Sequence, residues 1–410
     1  HHLEPFADLF EETYALVQRP HQKKKLRIAA WNDLCRTNRV ASETWMLHTK
    51  GNVKREEFAK PGKKPRLVND LSTPASLLGA LVTASLKHAM EEVPLRIGDS
   101  SCHFIATPNF DKLSNAFTTL HTTQKSVYSI IFSDDSSFVI DGKKYNADIS
   151  SCDTSHGEEI FNALLMISRG RHRSILRRLI KQCKTNLVLQ TREKRQRQKA
   201  VFKTKVPVLY TGSTLTTLIN NLANFCIFIS IVQSGAKTPV EIIKAAADAG
   251  YVITLEECDK LDKVQFLKHS PCLVDGIVIP VLNSGVILRS SGNCKRDMRA
   301  RYKSQPFYEK AIETQNGLMA CYKHSPRTKL IRSMTRDWSA VPLPSSEFIK
   351  LLLCNKDYSF LEVPDQHFLN RYDLKPVEWE ELLTLSSTAT VGDVIDCAAS
   401  RKILKIDYGL

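Results

Sequence analysis

The sequence predicts an α+β fold, and three observations carry that expectation. From Val127 to Ile149 the chain is built of short apolar runs separated by turn residues, the texture of strands. Long stretches with helical periodicity stand on both sides of that segment, at Ala75 to Glu92 before it and at Glu158 to Cys183 and Ser213 to Val232 after it. From about Gly292 onward the pattern is mainly helical.

Taken in order, residues 1–126 combine helical segments with irregular, basic connections. The helical segments are Pro5 to Val17 and, after the turn signal Ser72-Thr73-Pro74, Ala75 to Glu92. The strand-rich segment follows. Helical stretches come next at Glu158 to Cys183, Ser213 to Val232 and Pro239 to Ala249. Short β-type runs are expected at Val264 to Lys268, Ile277 to Val281 and Val286 to Leu288, and helices at Ser345 to Cys354 and Pro376 to Leu385. The sequence carries no internal repeat and no low-complexity segment.

With 410 residues, 42% of them hydrophobic and 25% charged, the chain has enough apolar material for a large core without disulfide or metal staples. The longest apolar stretch, Leu222 to Val232, is interrupted by Asn224 and runs about half of the ~20 residues a membrane span needs, so no transmembrane segment is expected. The eleven cysteines form no Cys-x-x-Cys pair, which points away from a zinc site or disulfide framework and toward a reducing, cytoplasmic setting. His1-His2 has the look of a tag remnant, and no signal-peptide pattern follows it. The net charge of +15 is concentrated: Arg169 to Lys205 holds fourteen Lys or Arg against one acid, Glu193. Such a block suits a polyanion partner, although a solvated basic face has the same composition.

The informative chemistry lies in the strand-rich segment. Val127 to Phe132 and Ser136 to Ile140 are apolar runs flanking Ser133-Asp134-Asp135, which contains the chain's only Asp-Asp pair, so the pattern reads as a hairpin with the aspartates at its tip. Asp141-Gly142 supplies a second turn, and the next strand climbs to Asp148. At ~3.3 Å per residue the returning strand brings Asp148 back to the level of Asp134 and Asp135, with neighbouring strands ~4.8 Å apart. Three carboxylates so placed repel one another unless a cation sits among them, and hard oxygen ligands suit Mg²⁺ or Mn²⁺. Two such ions can serve an in-line phosphoryl displacement. Singly, each aspartate is a common turn or cap residue; the registered set is what argues for a site.

Asp148-x-x-x-x-Asp153 is the only aspartate pair at that spacing, and it resembles motif A of viral RNA-dependent RNA polymerases. Ser133-Asp134-Asp135 is similar to their motif C. Thr211-Gly212-x-x-x-Thr216-x-x-x-Asn220 matches motif B, a loop opening a helix on which Thr216 and Asn220 lie one turn apart. Val264 to His269 resembles motif E, and Ala249-Gly250 through Lys260 resembles motif D, with Lys260 preferred over Lys263 as its lysine. Lys60-Pro-Gly-Lys63-Lys64-Pro-Arg66 resembles motif F. The order C, A, B departs from the usual A, B, C and is similar to the permuted polymerases of permutotetraviruses and, more distantly, birnaviruses. The Ser-Asp-Asp form of motif C leans toward the former.

The resemblance implies a right-hand polymerase. Residues 1–126 would hold the N-terminal region and fingers, 127–157 palm motifs C and A, 158–209 a basic fingers insertion, 210–291 palm motifs B, D and E, and 292–410 a helical thumb. It implies template-directed RNA synthesis by two-metal nucleotidyl transfer, with Mg²⁺ or Mn²⁺ held by Asp134, Asp148 and, more weakly, Asp135, and with Lys260 protonating pyrophosphate. Asp153 and Asn220 would monitor the ribose 2′-hydroxyl beside Thr211, Gly212 and Thr216, while Lys63, Lys64 and Arg66 neutralise the triphosphate. The implied partners are template and nascent RNA and ribonucleoside triphosphates, with a protein primer as a further candidate. The implied setting is viral replication complexes in host cytoplasm or the virion. A reverse transcriptase shares the palm, but Asp153 with Asn220 argues for ribonucleotides. The alternative from another class is a noncatalytic basic RNA-binding or nucleocapsid protein.

Overall fold

The structure, a computed structural model, describes residues 17, 24–37, 49–53, 67–70, 73–106, 108–168, 170–185, 187–190, 199–202, 204–291, 307–341, 356–390 and 392–409. The expected helices at Pro5 to Val17 and Ser345 to Cys354 lie essentially outside these residues, as do Lys63, Lys64, Arg66 and the run from Arg192 to Arg197. The fold is mixed α and β. The chain divides into two compact units, one of His1–Ala106, Ser129–Ser136 and Ala147–Leu255, the other of Thr107–Tyr128, Ser137–Asn146 and Glu256–Leu410.

In the first unit, four helices share one apolar core: Thr73–Glu92, Glu158–Ile167, Gly170–Gln182 and Thr216–Ser234. Leu86, Phe161, Leu164, Leu176, Leu218 and Ile219 belong to that core, each removal from water contributing roughly 1.5–3 kcal/mol. Gly79 is required here because a Cβ would come within 1.9 Å of the Thr214 hydroxyl. The single helix expected from Glu158 to Cys183 is broken at Ser168, whose backbone is extended. Gly170–Gln182 is amphipathic: Ile175, Leu176, Leu179 and Ile180 are buried, whereas Arg173, Arg177, Arg178 and Lys181 are exposed. That part of the basic block is therefore the solvent face of a packed helix.

The same unit holds a four-stranded sheet ordered β2-β1-β8-β9, formed by Thr49–Val53 (β1), Leu67–Asp70 (β2), Leu187–Gln190 (β8) and Lys199–Phe202 (β9). In β1, Val53 pairs with Leu67, and in the β8–β9 hairpin Gln190 pairs with Lys199. β1 and β8 run parallel from Thr49 and Leu187. Leu67 and the Gln190–Lys199 pair are thus at the same end of the sheet.

A six-stranded sheet has the order β10-β7-β6-β5-β4-β3. Its strands are Leu95–Ile97 (β3), Ser100–Phe104 (β4), Val127–Phe132 (β5), Asp135–Ile140 (β6), Lys143–Ile149 (β7) and Ile253–Cys258 (β10). Adjacent β5, β6 and β7 form the expected meander. Asp141 and Gly142 both have positive φ, +48° and +81°, the backbone of a two-residue hairpin turn joining β6 to β7. That turn, the Ser136 hydroxyl on the Ala147 carbonyl at 3.3 Å and the Phe138–Tyr145 ring stack agree on one register, which sets Asp135 opposite Asp148. β6 is buried on both faces, and its serines are satisfied there: Ser137 donates to the Gln265 carbonyl at 2.6 Å.

In the second unit, a hairpin of His269–Val274 (β11) and Ile277–Leu282 (β12) packs with helices Phe110–Thr122, Ser284–Ser291, Phe307–Ala320, Lys329–Met334, Asp365–Tyr372, Pro376–Thr388 and Ala398–Tyr408. Phe368 stacks on Trp379 with ring centroids 4.8 Å apart, both in the core. Arg371 and Asp407, both buried, pair at 2.9 Å, and Asp407 also accepts from Tyr372 and the Gly285 amide. Two expected strands are corrected. Val264 to Lys268 is not a strand, because Leu267 and Lys268 take left-handed conformations and make the turn that bridges Phe266 to His269. Val286 to Leu288 lies in the helix Ser284–Ser291, where Val286 and Ile287 face the core at helical rather than strand spacing.

The helix Thr216–Ser234 is long and apolar enough to cross a membrane by length and composition, with 56% of its apolar window buried inside the protein. Its buried Asn220, Asn221 and Asn224 are hydrogen-bonded within the first unit, and three amides would be costly against lipid.

Candidate active site

The tip of the β5–β6 hairpin is Ser133-Asp134, with Ser133 in the left-handed region at φ +58°. A serine there is strained relative to glycine, and the strain is offset by an unusual set of partners. The Ser133 amide donates to the Asn221 side-chain oxygen at 2.7 Å, the Asn224 side-chain amide donates to the Ser133 carbonyl at 2.8 Å, and the Asn220 amide donates to the Ser133 hydroxyl at 3.2 Å. All three asparagines lie on one side of the helix Thr216–Ser234, within about one turn.

Asp153 sits in the one-turn helix Cys152–Ser155 that follows β7. One of its carboxylate oxygens accepts from the Asn220 amide at 3.2 Å, and the other from the Thr211 hydroxyl. Asn220 therefore touches both the hairpin tip and Asp153, the approach expected from the sequence. Its own side-chain oxygen meets His156 Nε2 at 2.8 Å, and His156 Nδ1 lies 3.3 Å from the Tyr251 hydroxyl.

The loop ahead of this helix is held from the other side. The Asn69 amide donates to the Thr211 carbonyl at 2.8 Å. Gly212 has φ +103°, and a Cβ on it would meet the Asn69 carbonyl at 2.5 Å, so both conformation and space require glycine. Thr216 turns its hydroxyl back to the Tyr210 carbonyl at 3.5 Å rather than toward Asp153.

Asp148 is exposed near the end of β7, with its carbonyl accepting from Thr254 at 3.3 Å; Asp134 and Asp135 are half-buried. Burial pushes the Cys152 thiol up, and the carboxylates of Asp134, Asp153 and Asp148 push it further, so all three fall within electrostatic reach of one thiol. The donor chemistry fits a hard divalent cation. The ligand atoms of Asp134, Asp135 and Asp148 are nevertheless spread wider than a preformed cage: among the described residues, the one group of three donors within 4.8 Å of one another is Asp262, Cys272 and His367. In that group His367 Nδ1 and Asn370 already bond the two Asp262 oxygens at 2.7 and 3.0 Å, a satisfied network that needs no ion.

Lys260 belongs to the second unit, where its ammonium bonds the Asn370 side chain at 3.1 Å; Lys263 pairs there with Asp259 and Asp373. Sequence reasoning does not single out Asn221, Asn224, His156 or Tyr251. Asn220-Asn221-x-x-Asn224 in an otherwise apolar helix is the signal that could have found the asparagines, since buried amides persist where they are hydrogen-bonded.

The fold and site thus define a mixed α and β protein in which a helix following a glycine loop ties an acidic hairpin to a second acid. The chain is similar in fold to the solved birnavirus VP1-VP3 complex, at TM-score 0.49 and 10% identity, covering 98% of this chain and 55% of that one. It is likewise similar to the RNA polymerase VP1 from Infectious Pancreatic Necrosis Virus, at TM-score 0.48 and 10% identity, covering 98% of this chain and 54% of that one. The chain therefore spans about half the length of either. No family model matches the chain, and no curated protein matches it.

Proposed function

We propose that this chain is the core of a permuted viral RNA-dependent RNA polymerase, which extends a primer 3′-hydroxyl on an RNA template and releases pyrophosphate. The observation that carries the reading is Asn220, whose amide bonds both Asp153 and the Ser133 hydroxyl beside Asp134. Three separate motifs of the polymerase resemblance meet on that one side chain. Connectivity supports the permuted order, because a two-residue turn suffices to join β6 to β7.

Asp134 and Asp148, with Asp135 as the outer group, would hold Mg²⁺ or Mn²⁺. When bound, the ions stabilise the attacking and leaving oxygens of an in-line displacement. Asp153 accepts one bond on each oxygen and keeps lone pairs free for a ribose 2′-hydroxyl donor. The Thr211-Gly212 loop, pinned to Asn69, shapes that side of the nucleotide site. Lys63, Lys64 and Arg66 precede β2, and Arg192 to Arg197 link β8 to β9. The strand residues that flank these segments in the sequence, Leu67 and the Gln190–Lys199 pair, lie at one end of the sheet, which supports a shared role toward triphosphate and template phosphates.

In this reading residues 1–126 and 158–209 belong to fingers, 127–157 and 210–291 to palm, and 292–410 to thumb. RNA and ribonucleotides are the partners, with a protein primer as a further candidate, in replication complexes of the host cytoplasm or in the virion. The test is primer extension on a homopolymer template with Mg²⁺ or Mn²⁺. Extension supports the assignment; RNA binding without extension under either ion returns the noncatalytic RNA-binding reading.

A further inference from the structure

We propose that His156 is a positioning residue for sugar selection, fixing the direction in which the Asn220 side-chain amide faces. The inference rests on the polymerase reading and assigns a role to a residue outside its motifs. Asp153 is an acceptor-only carboxylate, so the NH₂ end of Asn220 must face it and the oxygen must face His156. That oxygen requires a donor, which makes His156 the tautomer with hydrogen on Nε2. Nδ1 is then an acceptor, and the Tyr251 hydroxyl at 3.3 Å supplies the proton that holds it so.

The chain Tyr251, His156, Asn220, Asp153, Thr211 therefore has one consistent pattern of donors and acceptors from end to end. Reversing the Asn220 amide would set its oxygen against the Asp153 carboxylate and its NH₂ against the Nε2 hydrogen, two repulsive contacts in a buried place. Burial keeps the imidazole below its ordinary value, outweighing the Asn220 bond and the Asp153 charge, so it remains neutral near pH 7. Without His156, the amide loses the partner that opposes its rotation. Asp153 then loses the bond that orients it toward a 2′-hydroxyl.

The test compares the full chain with His156→Leu and His156→Gln in single-nucleotide primer extension, using ribo- and deoxyribonucleoside triphosphates separately. His156→Leu should raise the deoxy-to-ribo ratio of kcat/KM by about tenfold, the weight of one hydrogen bond, mainly through ribonucleotide KM. His156→Gln, which offers an amide N–H at similar reach, should restore most of the discrimination. A folded His156→Leu protein with an unchanged ratio overturns the proposal. If the unaltered chain incorporates no nucleotide, the polymerase reading falls by itself, and ¹⁵N-histidine NMR decides the His156 tie. A neutral ring protonated on Nε2, lost in His156→Leu, supports it; protonation on Nδ1 overturns it.

Discussion

The backbone amide of Ser133 donates to the side-chain oxygen of Asn221 across 2.7 Å, from a position 88 residues earlier in the chain. With Asn224 on the Ser133 carbonyl, this bond holds the turn that presents Asp134. Replacing Asn221 or Asn224 by Ala leaves a half-buried backbone group without its partner, which should lower unfolding stability by about 0.5–1.5 kcal/mol. Urea denaturation measures that loss, and the apparent affinity for Mg²⁺ in primer extension should weaken in parallel. Unchanged values for both variants would mean that the turn holds itself.

Asp134→Ala and Asp148→Ala should each reduce nucleotide incorporation by roughly three orders of magnitude while the urea midpoint stays near that of the parent, because charge rather than packing is removed. Asp135→Asn should be milder, in keeping with its proposed place as the outer ligand. Equal loss in all three would refute the ranking.

Gly212→Ala should strain a φ of +103° and drive a methyl into the Asn69 carbonyl, at a cost of roughly 1–3 kcal/mol. The loop would relax away from β2, and nucleotide KM should rise more than kcat falls. Steady-state kinetics separate the two.

Stability should fall on acidification through a buried histidine of the second unit. Burial lowers His269 to about 4, outweighing its bond to the Leu267 carbonyl, while the unfolded chain takes up the proton near 6.5. The native state is therefore undiminished above pH 6.5 and loses stability as pH falls from there toward 4, on the order of 2 kcal/mol by pH 5. Urea midpoints at pH 7.5 and pH 5 should show the drop, and His269→Gln should show a smaller one.

Neutralising Arg192, Lys194, Arg195 and Arg197 together should weaken RNA binding and flatten the slope of log affinity against log salt, by about one unit for each phosphate no longer neutralised. Neutralising the exposed helical residues Arg173, Arg177 and Arg178 provides the contrast, since they form the outer face of a packed helix and should change the slope less. An unchanged slope in the first set would make that segment a solvated face as well.

What the sequence determined by itself is local. Short apolar runs and the Asp141-Gly142 turn specify the meander, and strand geometry then returns Asp148 to the level of the Asp-Asp pair without any long-range assumption. The glycine loop and the helix carrying Asn220 were legible for the same reason. Tertiary packing decided the rest. Val286 to Leu288 reads as a strand until its neighbours show helical burial, and Leu267-Lys268 contains no glycine to announce its left-handed turn. His156 gains meaning only when Asn220, 64 residues later, is brought against it, and Asn221 and Asn224 only when their helix meets Ser133, 88 and 91 residues earlier. A hydrogen bond is satisfied by whatever folding places within its short, directional reach, and sequence spacing encodes that reach only within one element or one turn.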